Sequence, residues 1–263
     1  MGRLRRIPWG IYQRGKKLIG KLPGGSGLLA WTDPLHIARL LLQKAIEERA
    51  GFVRGAVLDL GCGAVPYRHL FAQADRYIGL DLPPNQEADV LGTALCLPFR
   101  DSIFDAVLCS EVLEHVPEPA DLLRQVYRVL KPGGVLLLTT PQTWGPHLEP
   151  FDFYRYTKHG LRYLAEKSNF HVVEIVPTCG MWATVAQRIS DTVVFQYAEG
   201  RSQWLIEFLS LLLSPVLMTG YGLDKLFGKR GDTLDHILLA EKPDGSVTEK
   251  RQELARPGLE PLQ

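Results

Sequence analysis

Short runs of continuous apolar residues alternate with amphipathic stretches through the middle of this chain. The runs "GAVLDL" (55–60), "RYIGLDL" (76–82), "ADVL" (88–91), "IFDAVLCS" (103–110) and "GGVLLLTT" (133–140) each predict a strand. Helical spacing predicts helices over 34–50, about 66–73 and 119–130. Asp33 is the expected cap of the first and Pro34 suits its first turn, while "KPGG" is the expected stop of the last. Strands that are apolar throughout and separated by helices are covered on both faces, so the expected class is α/β with a doubly wound, mostly parallel sheet.

After Thr140 the pattern changes. A polar and aromatic loop, "TPQTWGPHLEPFDFYRYTKHGL", leads into a helix capped by Thr157 and a strand, "HVVEIV". The alternation then breaks before "DHILLAEK" supplies a last strand that reads as edge or antiparallel. The expected organisation is a basic arm and joint (1–33), a folded domain (34–242) with a helical apolar insertion at about 180–232, and a polar, disordered tail (243–263).

With 263 residues, 46% of them hydrophobic, the chain can bury a full core. A formal net charge of +1 gives no global attraction for polyanions, so no nucleic-acid partner is expected. Residues 1–25 nevertheless carry Arg3, Arg5, Arg6, Arg14, Lys16, Lys17 and Lys21 and no acid. Cys62, Cys96, Cys109 and Cys179 lack CxxC spacing and a nearby His pair. That argues against zinc and against a disulfide scaffold, leaves no metal expected, and fits a cytoplasmic location.

Ligands of such sheets sit beyond the carboxyl ends of the strands. Asp59 to Gly63, Asp81, and Ser110 with Glu111 all fall there, so three chain segments converge on one crevice. "VLDLGCGAVPY" has glycines at 61 and 63 but Pro66 where a dinucleotide turn needs a third glycine, and no GxxxxGK[ST] run exists. The turn therefore suits a ligand with no phosphate to cradle.

Taken in order, "VLDLGCG", "YIGLDL", "ALCLPFRDSIFDAVLCSEVLEHV" and "LLRQVYRVLKPGGVLLLTTP" resemble the successive motifs of the class I S-adenosylmethionine-dependent methyltransferases, in the methyltransferase type 11 group. The resemblance covers roughly residues 52–178 and the last strand. It implies a Rossmann-like seven-stranded sheet, mostly parallel with one antiparallel strand, and S-adenosyl-L-methionine as cofactor. It also implies Asp81 on the ribose, and Gly61 and Gly63 against the amino-acid portion. Asp59 would orient the turn and oppose the ammonium, with a purely structural role as the alternative. Cys62, Leu82, Thr93, Ala94, Leu95, Ser110 and Glu111 complete the implied cofactor site. Where the family usually has a "GDA"-like triplet this chain has Gly92, Thr93 and Ala94, so a weaker hydroxyl contact to the adenine is expected, over an apolar slot of Leu95, Leu97 and Phe99.

Methyl transfer from a sulfonium is an in-line displacement, for which a hydroxyl acceptor additionally needs a base. No [DNS]PP[YFW] follows the fourth strand and no cysteine follows a proline, which argues against amide or base nitrogens and against pyrimidine C5. A small-molecule or lipid-linked acceptor with oxygen as target is the favoured reading. His147 is the first candidate for a general base and His115 the second, although His115 reads equally as a packed core histidine. Asp152 is the third catalytic candidate. Arg155 and Tyr156 are candidate substrate contacts, with an Arg155–Asp152 ion pair that pins the loop as the alternative. The competing class is a non-catalytic binding or scaffold protein that keeps the fold.

Within the insertion, "WLIEFLSLLLSPVLM" (Trp204 to Met218) is almost wholly apolar. It is shorter than the ~20 residues a spanning helix needs and contains Pro215, so no transmembrane segment is expected. It reads either as a buried helix or homodimer contact, or as a membrane-interface helix acting with the basic arm, Trp9 and Tyr12. The second reading would add peripheral membrane association and suit a lipid-linked acceptor.

Overall fold

The computed structural model describes residues 35–51, 53–196 and 203–244. The basic arm, the Asp33 cap and the tail beyond residue 244 lie outside the described residues. Seven strands form one sheet: β1 (Ala56–Leu60), β2 (Arg76–Asp81), β3 (Val90–Leu91), β4 (Phe104–Ser110), β5 (Leu130–Pro141), β6 (His171–Pro177) and β7 (Asp235–Glu241). Their order is β3-β2-β1-β4-β5-β7-β6. Neighbours from β3 to β5 pair in parallel, and β7 runs antiparallel to both β5 and β6, as expected. Strand order reverses between β1 and β4, which opens a crevice beyond their carboxyl ends.

Successive strand residues point to opposite faces, and here both faces are covered, so the strands need apolar residues throughout. Val57, Ala106, Leu108, Leu137 and Ile237 pack against Leu42, Ala45, Ile46 and Ala50 of α1 (His36–Ala50). Leu58, Leu60, Val107, Leu136 and Leu138 meet α2 (Pro119–Val129) and α3 (Lys158–Lys167) on the other side. Thr157 caps α3, its hydroxyl accepting the Gly160 N–H at 3.1 Å.

Three local expectations differ. Residues 66–73 give only a single 3-10 turn, Arg68–Phe71, because Phe71 alone is buried there. The "ADVL" strand shortens to Val90–Leu91, since the Asp89 carboxylate accepts the Gly79 N–H at 2.8 Å in place of a strand pairing. "KPGG" lies inside β5, which begins at Leu130 opposite Phe104.

The insertion is a helical hairpin of α4 (Met181–Asp191), a π turn (Thr192–Gln196) and α5 (Gln203–Phe227). The apolar helix is longer than expected. Leu205–Phe227 is long and apolar enough to cross a membrane by length and composition, which corrects the expectation that length and Pro215 exclude this. Pro215 removes the N–H that would bond the Leu211 carbonyl, and the Ser214 hydroxyl donates to that carbonyl instead, at 2.8 Å. The helix is docked through one stripe, with Ser210, Ser214, Leu217 and Asp224 buried. A Cβ on Gly220 would lie 2.6 Å from the Trp182 carbonyl oxygen, so only glycine lets the two helices approach this closely. The Asp224 carboxylate accepts the N–H groups of Gly180, Trp182 and Ala183 at 2.6, 3.1 and 3.3 Å, so α5 caps the amino end of α4. Asp224→Ala leaves these donors without an acceptor and is expected to lower stability by about 1–3 kcal/mol in urea unfolding, with a smaller loss for Asp224→Asn.

Candidate active site

β1 runs into a turn in which Gly61 and Gly63 have φ of 73° and 56°, values that strain any side chain. A Cβ on Gly61 would collide with Val112. The turn is fastened to β2: the Gly61 and Cys62 N–H groups donate to the Leu80 carbonyl at 2.8 and 3.1 Å, and the Gly63 N–H donates to Asp81 Oδ2 at 2.9 Å. Asn85 was not singled out in the sequence, yet it ties both sides. Its Nδ2 donates to the Gly63 carbonyl at 2.7 Å and to Asp81 Oδ2 at 2.8 Å. Its only sequence signal is an amide in a "PPN" turn just after the β2 acid.

Asp59 is buried, and its Oδ2 accepts the Tyr77 hydroxyl at 2.7 Å, so it is held at the root of the turn as the structural alternative requires. Cys62 is buried with its thiol against Gly79, and it joins the turn through its backbone and a 3.9 Å thiol contact to the Gly63 carbonyl. Along the neighbouring edge Leu82 and Leu95 are exposed. Leu97 is buried in the core and so does not line the expected adenine slot, while Phe99 is half-buried and packs edge-on against Phe104. The Thr93 hydroxyl accepts the Leu95 N–H at 3.3 Å, which engages part of the group expected to meet the adenine.

At the end of β4 the hydroxyls form a chain. Thr139 donates to Glu111 Oε1 at 2.8 Å and therefore accepts from Ser110 at 2.9 Å. Burial pushes the Glu111 carboxyl up to about 7, against the Thr139 hydrogen bond. Glu114 is fully buried, and burial followed by repulsion from Glu111 pushes its carboxyl up. Thr140 donates to Glu114 Oε2 at 3.2 Å, while Oε1 has no hydrogen-bond partner. Asp235 is raised in the same way, first by burial and then by Glu111.

The loop after β5 is pinned from within. Arg155 donates from Nε to the Trp144 carbonyl (3.1 Å), from one terminal nitrogen to Asp152 Oδ1 (2.6 Å) and the Tyr154 carbonyl (2.8 Å), and from the other to Asp152 Oδ2 (2.7 Å) and the Gly145 carbonyl (2.8 Å). All five guanidinium donors are engaged, so Arg155 holds the loop, as the ion-pair alternative has it, and offers no N–H to a substrate. Asp152 also accepts the His147 N–H at 2.8 Å. Burial pushes its carboxyl up, but Arg155 and this N–H outweigh burial and hold it below the usual range. So engaged, Asp152 is a positioning residue rather than a proton carrier. Tyr156 belongs to the core, 9% exposed, with its hydroxyl buried and unpartnered.

What this loop delivers is a histidine pair. The rings of His115 and His147 meet edge to face with centroids 4.8 Å apart. His115 Nδ1 lies 2.7 Å from the Phe151 carbonyl and His147 Nδ1 lies 3.1 Å from that of Gly145. A carbonyl only accepts, so His115 Nδ1 carries the hydrogen and its Nε2 is left as a lone-pair acceptor, whereas His147 Nδ1 stands between the Gly145 carbonyl and the Arg155 guanidinium, a donor 3.3 Å away. Burial pushes both imidazoles below their ordinary value, which keeps them neutral at pH 7. The two base candidates are thus brought together, although nothing in their separation along the chain pairs them.

The raised Glu111 carboxyl has a thermodynamic consequence. Its folded value of about 7 lies above the ordinary value, so its contribution to stability is complete below about pH 4.3 and is lost as pH rises through 7. Glu111→Gln, compared with the parent in urea unfolding, is expected to remove up to about 1.4 kcal/mol of stability loss per pH unit across that window. Glu114, Asp235 and Arg155 stay common to both proteins.

Residues 58–138 match the family described as a methyltransferase domain, type 11. A ubiquinone biosynthesis O-methyltransferase of Pseudomonas paraeruginosa is 35% identical over 123 residues, covering 41% of this chain and 53% of that protein. The chain thus matches about half the length of the curated relative. Among solved structures, the [4+2]-cyclase SpnF superposes with a TM-score of 0.54 at 17% identity, over 89% of this chain and 94% of that one. An S-adenosylmethionine-dependent methyltransferase from Archaeoglobus fulgidus gives 0.50 at 18% identity, over 78% and 94%. Likeness at these identities shows the fold. The glycine turn and the acid ending β2 fit the sulfonium cofactor, and the match over 58–138 gives that segment of the chain as an S-adenosylmethionine-dependent methyltransferase domain of type 11.

Proposed function

We propose that the protein transfers the methyl group of S-adenosylmethionine to a hydroxyl of a small, largely apolar or lipid-linked acceptor, and that it works at a membrane surface. The observation that carries the reading is the convergence of the Gly61–Gly63 turn, Asp81 and the Ser110–Thr139–Glu111 chain on one crevice, with the His115–His147 pair on the loops that follow. When bound, the cofactor supplies a methyl carbon on a cationic sulfur, open to in-line displacement. The chain's part is to place it. The positive-φ turn admits the amino-acid portion without a Cβ clash, Asp81 offers a carboxylate to the ribose hydroxyls, and the neutral imidazoles receive the acceptor's proton. Oxygen as target is supported by the relative named an O-methyltransferase.

Support for an apolar acceptor comes from the hairpin. A cleft of about 410 Å³ is lined by Met181, Val185 and Ile189 of α4, with Thr143, Arg188 and Asp232 as polar members. It adjoins the site loop, since a Cβ on Gly145 would lie 3.0 Å from the Arg188 guanidinium. Trp182 on α4 and Phe208, Leu211, Leu212, Val216 and Met218 on α5 are exposed, which supports a lipid-facing surface. The stripe docked on α4 favours a helix lying on the membrane over one crossing it.

Calorimetry with S-adenosylmethionine tests the cofactor assignment: micromolar-range binding is expected, and about tenfold or greater weakening in Asn85→Ala, which loses a hydrogen bond to the Asp81 carboxylate. No binding by the parent protein overturns the reading. His147→Ala is expected to abolish methyl transfer while cofactor binding persists. Anionic liposomes should float the full chain, and Phe208→Glu with Leu212→Glu should abolish flotation; a parent protein that does not float and sediments as a dimer would assign this face to a second copy.

A further inference from the structure

Glu114 Oε1 and His115 Nε2 lie 3.5 Å apart. The first is a buried carboxylate oxygen with no hydrogen-bond partner, and the second is a lone pair, because Nδ1 of the same ring donates to the Phe151 carbonyl. Two acceptors facing each other at this distance require a positive charge between them, which either a proton or a metal ion supplies. One ring nitrogen of His147 joins them, and the three ligand atoms lie within 4.8 Å of one another.

From this geometry we propose that Glu114, His115 and His147 form a binding site for a divalent transition-metal ion at the acceptor end of the crevice. Three features favour a metal over a lone proton. First, two imidazoles and one carboxylate are a ligand set suited to zinc and its neighbours, with positions left open for an acceptor. Second, the ligands already have outer partners: the Phe151 carbonyl on His115 Nδ1, the Thr140 hydroxyl on Glu114 Oε2, and the Gly145 carbonyl with the Arg155 guanidinium beside His147 Nδ1. Orienting contacts of this kind are what metal-bound histidines and carboxylates carry. Third, Glu111, Glu114, Asp152 and Asp235 share one guanidinium, Arg155, which is paired with Asp152, so the cluster holds more carboxyl groups than cations.

The dimensions agree. A tetrahedral ion with bonds of about 2.1 Å holds its ligands roughly 3.4 Å apart, close to the Glu114–His115 separation. Closing the widest pair needs a contraction of about 1.4 Å at most, and His147, 30% exposed on its loop, is the ligand that can move. An ion there would replace the imidazoles as the device that handles the acceptor's proton, by favouring the conjugate base of an acceptor hydroxyl at neutral pH. This revises the expectation of a metal-free site, which followed from cysteine spacing and could not register ligands from two loops. The inference deepens the methyl-transfer reading, but metal binding can be measured without turnover.

The test is titration of the tag-free, chelator-stripped full chain with Co²⁺, followed by Zn²⁺ displacement. One equivalent is expected to bind with the visible bands of a low-coordinate nitrogen and oxygen site. His147→Ala and Glu114→Gln should lose more than the ~10–100-fold in affinity that removal of an outer partner costs, and Thr140→Val should fall within that range. Retained S-adenosylmethionine binding in each variant shows that it is folded. Absence of a stoichiometric site in the parent, or equal uptake by parent and His147→Ala, overturns the metal proposal and leaves the cofactor assignment standing; loss of cofactor binding by the parent would instead overturn the methyl-transfer reading.

Discussion

Buried carboxyl groups at the carboxyl end of the sheet are the constraint on which this site depends. Glu114 and Asp235 are almost wholly enclosed, Glu111 stands beside them, and one guanidinium, Arg155, faces the group with all of its donors engaged elsewhere. Burying carboxylates without partners is costly, so their protons are retained to higher pH or a cation is drawn in. Both responses tie this end of the sheet to chemistry. The same guanidinium, gripping Asp152 bidentately, fixes the loop that carries His147 against His115, so the fold positions its charge and its candidate proton acceptors through one pair.

The rest of the crevice is built by the sheet. Reversal of strand order between β1 and β4 leaves the glycine turn, Asp81 and Ser110 at adjacent strand ends, and hydrogen bonds from Gly63 and Asn85 to Asp81 lock the first two together. Rigid strands apolar on both faces carry these groups. Placement on strand ends is what makes a site of this kind precise.

The sheet was legible in the sequence because parallel strands covered on both faces leave an unmistakable pattern of short apolar runs, and the glycine turn was legible because positive φ selects glycine at 61 and 63. Legibility failed where a group's role depends on contacts distant along the chain. Asn85 carries no periodic signal, Tyr156 looks polar and accessible but is core, and Leu97 alternates into the core rather than onto the crevice wall. Arg155 and Asp152 were visible as a pair, but that every guanidinium donor is engaged follows only from the backbone carbonyls of Trp144, Gly145 and Tyr154. In the insertion, Pro215 counts in the sequence against a spanning segment, and the adjacent Ser214, which bonds the carbonyl that Pro215 leaves without a donor, shows how one long helix accommodates it.

The central claim is that the crevice beyond β1, β2 and β4 holds a sulfonium nucleoside with its reactive end toward the histidine loop. A crystal structure of the full chain with S-adenosylhomocysteine, the demethylated cofactor, measures this most directly. The account predicts the ribose hydroxyls on Asp81, the amino-acid portion over the Gly61–Gly63 turn, and the sulfur directed toward His115 and His147. Product bound elsewhere, or bound here with its sulfur turned away from that pair, would contradict it.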